Sequence, residues 1–402
     1  MTSLISNRTN QIEPSATLAV AAKAATLKAQ GKDIIALNLG EPDFDTPEPI
    51  KEAAIAAMKA GKTKYTLVEG TVELRKAIIE KFKRENNLSY ELNQIIVSNG
   101  AKHSIYNALA ALINPGDEVI IPAPYWVSYP DMVKLVDGVP VILPASVETH
   151  FKITPKQLDQ AITKKTKMVF FNSPSNPSGK IYSKEEFQAL GKVLLKHPQV
   201  IILSDEIYEH ILWGDNTFSN IVMAVPELKD RTIVMNSLSK VYAMTGWRIG
   251  YAAGHKDIIE AMTKIQSQST SCPCSISQAA SVVALSAEMT RFIPPMVNTF
   301  HERHDFLFKE MSQMPGIKIL PSEGTFYTLP DISEIIQRMG LKNDLEFAEK
   351  LIEKTGIVIT PGTPFGAPGC IRFSFASGME DLSKAMTRFR SFVTLKPSQC
   401  KL

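Results

Sequence analysis

From about Ile95 onward the chain alternates short β-rich apolar runs with amphipathic stretches, a pattern that calls for a parallel sheet covered on both faces by helices. Strands are expected at Ile95–Ser98, Glu118–Ile121, Lys167–Phe171, Val200–Leu203, Thr232–Met235 and Ile249–Ala252. Their nearly continuous apolar character suits burial on both faces. Ala101–Ile113 and Lys184–Lys196 read as helices, the second capped by Ser183, with a turn at Asn114-Pro115-Gly116-Asp117. The fold class is therefore α/β.

The 402 residues allow two or three such units at roughly 150 residues each. An N-terminal arm over 1–47 is expected to join a small domain, 48–288 to form the large domain, and 289–402 to hold a connecting helix and the rest of the small domain. The connecting helix is expected from about Ser286 to Arg303. Beyond it, Leu345, Phe347, Ala348, Leu351 and Ile352 make one apolar helix face, and strands at Ile357–Thr360 and Cys370–Phe375 suggest an α+β layer.

Several classes of function are disfavoured. With 44 Lys and Arg against 41 Asp and Glu, and no basic run, nucleic acid is not the expected partner. Cys272, Cys274, Cys370 and Cys400 fit neither a disulfide framework nor paired zinc motifs, and Cys272-Pro273-Cys274 reads as free thiols. No histidine has a spaced partner that suggests a metal site, and His103 and His210 read as ordinary groups at the surface or behind a site, so no metal is expected. There is no apolar core of a signal peptide near Arg8 and Glu13 and no run of about 18 apolar residues. A cytoplasmic protein without membrane contact is expected.

In parallel α/β sheets ligands bind beyond the carboxyl ends of the strands. Three consecutive strands end in polar groups: Asn172-Ser173-Pro174-Ser175-Asn176-Pro177-Ser178-Gly179, then Ser204-Asp205-Glu206-Ile207-Tyr208, then Asn236-Ser237-Leu238-Ser239-Lys240. An amide, a carboxylate with a phenol, and a lysine flanked by hydroxyls would converge on one sheet edge. That set matches the needs of pyridoxal phosphate. A carboxylate keeps the pyridine nitrogen protonated, a lysine forms the imine with the aldehyde, and an amide and a phenol bond the ring oxygen. The phosphate needs donors, which Asn99-Gly100-Ala101-Lys102 supplies at a strand-to-helix turn, with Ser237, Ser239 and Arg248 in the lysine's own segment. Trp126 can stack on the ring.

On these residues the chain resembles a class I aminotransferase of fold type I, most of all the bacterial aspartate aminotransferases of subgroup Ib. The similarity runs from about Pro14 to Phe392 and is densest in the fourteen residues Ser237 to Gly250, with Gly40-Glu41-Pro42-Asp43-Phe44 and Pro124-Tyr125-Trp126 in support. The resemblance implies a large domain with a mainly parallel seven-stranded sheet between helices that binds pyridoxal 5′-phosphate. It makes Lys240 the Schiff-base lysine, pairs Asp205 with the pyridine nitrogen, and gives Tyr208 and Asn176 to the ring oxygen. Trp126 stacks on the ring, while Gly100, Ala101, Ser237, Ser239 and Arg248 hold the phosphate. In the family the prolines matching Pro174 and Pro177 are commonly cis. A homodimer with shared sites is also implied, in which Tyr65 reaches the neighbouring subunit's phosphate.

Substrate binding is likewise expected from the resemblance, at Gly40, Trp126, Asn176 and Arg372, the last taking the α-carboxylate. Strand alternation puts Arg372 with Cys370 and Ser374, opposite Ile371, Phe373 and Phe375, on a face where an arginine is often simply solvated. Lys102 and the segment Pro14-Ser15-Ala16-Thr17 correspond to the groups that recognise a distal carboxylate, so aspartate is the expected amino donor and 2-oxoglutarate the acceptor, in a ping-pong exchange. Glu13 replaces the lysine common in relatives that accept prephenate, so weak prephenate activity at most is expected. The alternatives are an aromatic, alanine or prephenate specificity, or a lyase on the same scaffold. A regulator fused to a DNA-binding module is disfavoured by the dozen polar residues before Pro14, and a dinucleotide binder by the lack of Gly-x-Gly-x-x-Gly after a strand.

Overall fold

The computed structural model describes residues 4–12 and 16–395. In chain order its strands are β1 (Ile35–Ala36), β2 (Ile95–Ser98), β3 (Glu118–Pro122), β4 (Val139–Leu143), β5 (Thr166–Asn172), β6 (Ile201–Asp205), β7 (Thr232–Ser237) and β8 (Gly250–Ala253). They continue with β9 (Tyr327–Thr328), β10 (Ile357–Val358), β11 (Thr360–Pro361) and β12 (Ile371–Ser374). Seven of them form one sheet in the order β2-β8-β7-β6-β5-β3-β4, in which β8 alone runs against its neighbours. Consecutive parallel strands joined through helices leave both faces covered, which is why β7 is buried at every position.

The expected strands of this sheet are present, each within a residue or two of its expected ends. β4 was not expected. It is an edge strand carrying Pro140, with only its last residue, Leu143, buried, and proline is tolerated where a strand has no neighbour on one side. The helix Lys184–Leu195 starts from Ser183, whose side chain accepts from Glu186 N while Glu186 returns a bond to Ser183 N.

The helix expected from Ser286 to Arg303 needs correction. A 3-10 segment occupies Ala287–Phe292, and the α-helix runs Ile293–Ser312. Pro294 and Pro295 set that start, because a proline without N–H fits the first helical turn and little else in a helix. In the helix Asp344–Thr355 the expected inward face holds for Phe347, Leu351 and Ile352, but Leu345 is 41% exposed. The run Ile357–Thr360 breaks at Ile359 into β10 and β11.

Outside the large sheet, β11, β12 and β9 form an antiparallel set, and β1 of the arm pairs in parallel with β10. Leu37 is hydrogen-bonded to both Val358 and Ser374 through the backbone. This stitches the segment before Gly40 against the strand that carries Arg372. The apolar core is correspondingly split: one set packs around Val97, Val169, Ile202 and Val234, another around Phe300, Phe326, Phe373 and Phe389. Among the described residues no helix is long and apolar enough to cross a membrane.

Candidate active site

A cavity of about 380 Å³ opens where β5, β6 and β7 end, within the range typical of small-molecule sites. Parallel register is what assembles it: Asn172 pairs with Asp205 across β5 and β6, and Asp205 with Met235 across β6 and β7. The loops that follow these three ends carry Asn176, Tyr208 and Lys240 into the same wall. Of the residues read from the sequence, Gly40, Ala101, Lys102, Trp126, Asn176, Asp205, Tyr208, Ser237, Ser239, Lys240, Arg248 and Arg372 line it.

Lys240 is the group whose ionisation the site alters most usefully. Burial lowers its amine from the ordinary lysine value to about 8, against the pull of Glu41, with Arg372 and Arg248 adding to the lowering. The amine contacts the carbonyl oxygen of Gly40. Asp205 is 3% exposed, and burial raises its carboxyl to about 6; a bond from Tyr129 Oη at 2.5 Å and the Ile207 N–H oppose that rise. Tyr208 and Tyr327 face each other with their hydroxyls 3.2 Å apart, and burial holds the Tyr208 phenol neutral.

Arg372 is not solvated. It is 3% exposed, because the face opposite Ile371 and Phe373 is covered by the arm and by the Asn176 loop. Its Nη1 donates to Asn176 Oδ1 at 2.9 Å and its Nη2 to the Asn38 carbonyl at 2.8 Å, while the guanidinium lies over the Tyr327 ring. Its Nε is a buried donor without a partner. An anion at this place would be met by a charged donor already held from behind.

The opposite end of the cavity is formed by a helix start and the segment that follows Lys240. The helix Ala101–Leu112 begins at Gly100, so its first N–H groups lack intrahelical partners. Gly100 has φ +89°, and a Cβ there would lie 2.2 Å from Arg248 Nη2; a Cβ on Gly250 would lie 2.1 Å from Ala101 N. Only glycine lets the guanidinium and the helix start approach this closely. Arg248 Nη1 donates to the Thr245 carbonyl at 2.7 Å, and Ser237 Oγ sits 2.8 Å from Ser239 Oγ. Lys102 Nζ lies 4.7 Å from the centre of the Trp126 ring, and burial beside Arg248 lowers its ammonium.

Gly100 and Tyr65, also read from the sequence, do not line this cavity: Gly100 stands behind it at the helix start, and Tyr65 is 91% exposed. Thr17 falls in the helix Ala16–Ala29 with its side chain outside what is described. Glu13, Pro14, Ser15 and Cys400 lie outside the described residues. Cys272, Cys274 and Cys370 are free thiols. The bonds Ser173-Pro174 and Asn176-Pro177 are cis, as the resemblance led one to expect, and Ala123-Pro124 is cis as well.

Sequence reading missed Tyr129 and Tyr327, and put Asn172 at the sheet edge without giving it a role. Tyr129 stands three residues after Trp126, its N–H bonded to the Trp126 carbonyl, a spacing that could have flagged a shared wall. Asn172 Oδ1 accepts from Asn176 N at 2.9 Å and its Nδ2 donates to the Asp205 carbonyl at 3.1 Å, tying two of the loops together. Also unforeseen is a cluster behind the site in which Glu85, Glu209 and His210 offer ligand atoms within 4.8 Å. The ammonium of Lys81 already sits against both carboxylates there.

Comparison with known proteins gives a consistent picture. The family model for aminotransferase class I and II matches residues 32–389. The chain is 51% identical to an aspartate/prephenate aminotransferase of Nitrosomonas europaea, over 97% of this chain and 100% of that one. Among solved structures it is similar to the aspartate aminotransferase from Rhizobium meliloti, with a TM-score of 0.94 and 43% identity, covering 97% of this chain and 99% of that one. The aspartate aminotransferase from Thermus thermophilus with maleate gives a TM-score of 0.91 and 42% identity, covering 97% and 100%.

Proposed function

Because the chain belongs to the class I and II aminotransferases, we propose that it transfers the amino group of an L-amino acid, aspartate in the first place, to a 2-oxo acid such as 2-oxoglutarate. It does so with pyridoxal 5′-phosphate, by a ping-pong exchange, as a homodimer with shared sites. The observation that carries this reading is the convergence of the half-buried Lys240 amine, the Asp205 carboxylate and the Arg372 guanidinium on one cavity. The residues fit the cofactor. A crowded cradle of Gly100, Ala101, Ser237, Ser239 and Arg248 suits a phosphate, and Asp205 with its raised carboxyl suits a protonated ring nitrogen.

When bound, the cofactor supplies the electron sink that acidifies the substrate's Cα–H and carries the amino group between the two halves of the exchange. Lys240 Nζ holds it and then moves the proton from Cα, a task that needs the neutral amine. At pH 7 a group of pKa near 8 is neutral in roughly a tenth of molecules, about two hundred times more than an ordinary lysine. Arg372 binds the α-carboxylate through the donors it turns to the cavity, steadied by Asn176 and Asn38. Trp126 covers the ring and Tyr208 bonds its oxygen. Lys102 lines the same cavity and is the cation we assign to a distal carboxylate, and the Thermus thermophilus relative's maleate is itself a dicarboxylate.

A second copy of the chain would cover Tyr65, and with it Ile55, Met58 and Leu67, which are exposed within thirteen residues of one another in sequence. The test of function is the first half-reaction, followed by cofactor absorbance across acidic, aromatic, neutral and aliphatic amino acids. Fastest conversion with aspartate or glutamate is expected. Conversion confined to aromatic substrates, or pyruvate release without an acceptor, would contradict the assignment.

A further inference from the structure

Beneath the cavity runs a buried polar chain that no step of the exchange uses. Lys81, in the helix Val72–Asn86, is 1% exposed; its ammonium contacts Glu209 and donates to Asn86 Oδ1 at 2.9 Å. Asn86 Nδ2 donates to the second oxygen of Glu209 at 2.9 Å. Asn236 Nδ2 donates to Glu209 Oε1 at 2.7 Å, and Asn236 Oδ1 accepts from Ser237 N at 2.7 Å. Glu209 and Asn236 are themselves buried.

The chain ends at informative places. Glu209 follows Tyr208 directly, and Asn236 directly precedes Ser237, so one carboxylate connects the segment of Asp205 and Tyr208 to the segment of Ser237, Ser239 and Lys240. Burying an ion pair strips both charges of hydration, and apolar residues of the same shape would often be as stable. Here each oxygen of Glu209 is directed at a specific donor. Such full satisfaction fixes geometry more than it adds stability.

We propose that Lys81, Glu209 and Asn236 are positioning residues that set Ser237, and through its hydroxyl Ser239, at the phosphate end of the cavity and in fixed relation to Tyr208. This rests on the reading that Ser237 and Ser239 bind the cofactor's phosphate. Ser239 N is held by Ser237 Oγ at 3.0 Å, so a shift in Ser237 is passed to both hydroxyls.

The test compares the affinity of the full chain for pyridoxal 5′-phosphate with its affinity for pyridoxal, which has the same aldehyde and no phosphate. Both react with Lys240, so their ratio isolates the phosphate contacts. Asn236→Ala, which leaves the Lys81–Glu209–Asn86 set intact, and the paired change Lys81→Met with Glu209→Gln should each lower that ratio by about tenfold, the scale of one charge-assisted hydrogen bond. Affinity for pyridoxal should change little. A folded Asn236→Ala protein with the wild-type ratio overturns the proposal. So does loss of folding in Asn236→Ala, since the chain would then serve stability. Ser237→Ala separates the two readings: if it lowers the ratio and the other variants do not, only the positioning proposal fails, and if it leaves the ratio unchanged, the phosphate assignment fails as well.

Discussion

Tyr129 Oη donates to Asp205 Oδ2 at 2.5 Å, with both side chains buried in the wall of the cavity. This bond works against burial: burial raises the Asp205 carboxyl to about 6, and the phenol restrains the rise by stabilising the charged form.

The sign of the pH effect follows. Between about 4 and 6 the folded chain without cofactor binds a proton at Asp205 that the unfolded chain has released, so this group favours folding more as pH falls through that window. Relative to Asp205→Asn, the wild-type chain should gain stability on going from pH 6 to 4, measured by urea unfolding. Tyr129→Phe should extend the effect to higher pH. A difference between wild type and Asp205→Asn that does not vary with pH would contradict the raised carboxyl. In the loaded enzyme Asp205→Ala should weaken cofactor binding and remove most turnover, with Asp205→Glu milder; wild-type turnover in the alanine variant would refute the role.

Lys240, lowered to about 8 by burial, should react with small aldehydes in the cofactor-free chain with half-maximal rate near that pH. A short lysine-containing peptide added to the same reaction supplies the ordinary value of about 10.4 as the reference. Mass spectrometry of reductively labelled peptides reads both in one experiment. Equal profiles would remove the argument that burial readies the amine.

Arg372 and Lys102 separate the two carboxylates of an acidic substrate. Arg372→Lys cannot keep the bonds to both Asn176 and Asn38, so kcat/KM should fall by at least about a hundredfold for aspartate and alanine alike. Lys102→Ala should lower the value for aspartate by at least about tenfold and leave alanine and phenylalanine nearly unchanged. An equal loss for every substrate in the second variant would make Lys102 part of the phosphate end. No loss for aspartate would leave that specificity without its residue.

The exposed Tyr65 leads to a prediction about assembly. Mixing inactive Lys240→Ala subunits with an impaired Tyr65→Ala variant should restore activity above either parent, since hybrid dimers hold one site with both residues intact. Unchanged activity after demonstrated subunit exchange would count against shared sites.

What could be read from the residues alone follows from the periodicity of a parallel sheet. Apolar runs marked β5, β6 and β7, and polar residues just past them had to share one edge, so Asn176, Asp205 and Lys240 could be grouped before any coordinates. Arg372 was harder. Its strand alternates like a half-exposed one, and only the pairing of β1 with β10 shows that the arm covers it. Tyr327 meets Tyr208 through the pairing of β9 with β12, which local pattern cannot reveal. The Lys81–Glu209 pair joins residues 128 positions apart, and a lysine within an amphipathic helix reads as a solvated one.

The central claim, that Lys240 carries the cofactor in this cavity, is tested most directly by borohydride reduction of the chain loaded with pyridoxal 5′-phosphate, followed by peptide mapping. The account predicts a single phosphopyridoxyl label on Lys240, lost in a folded Lys240→Ala variant. A label on another lysine, or undiminished incorporation in that variant, would contradict it.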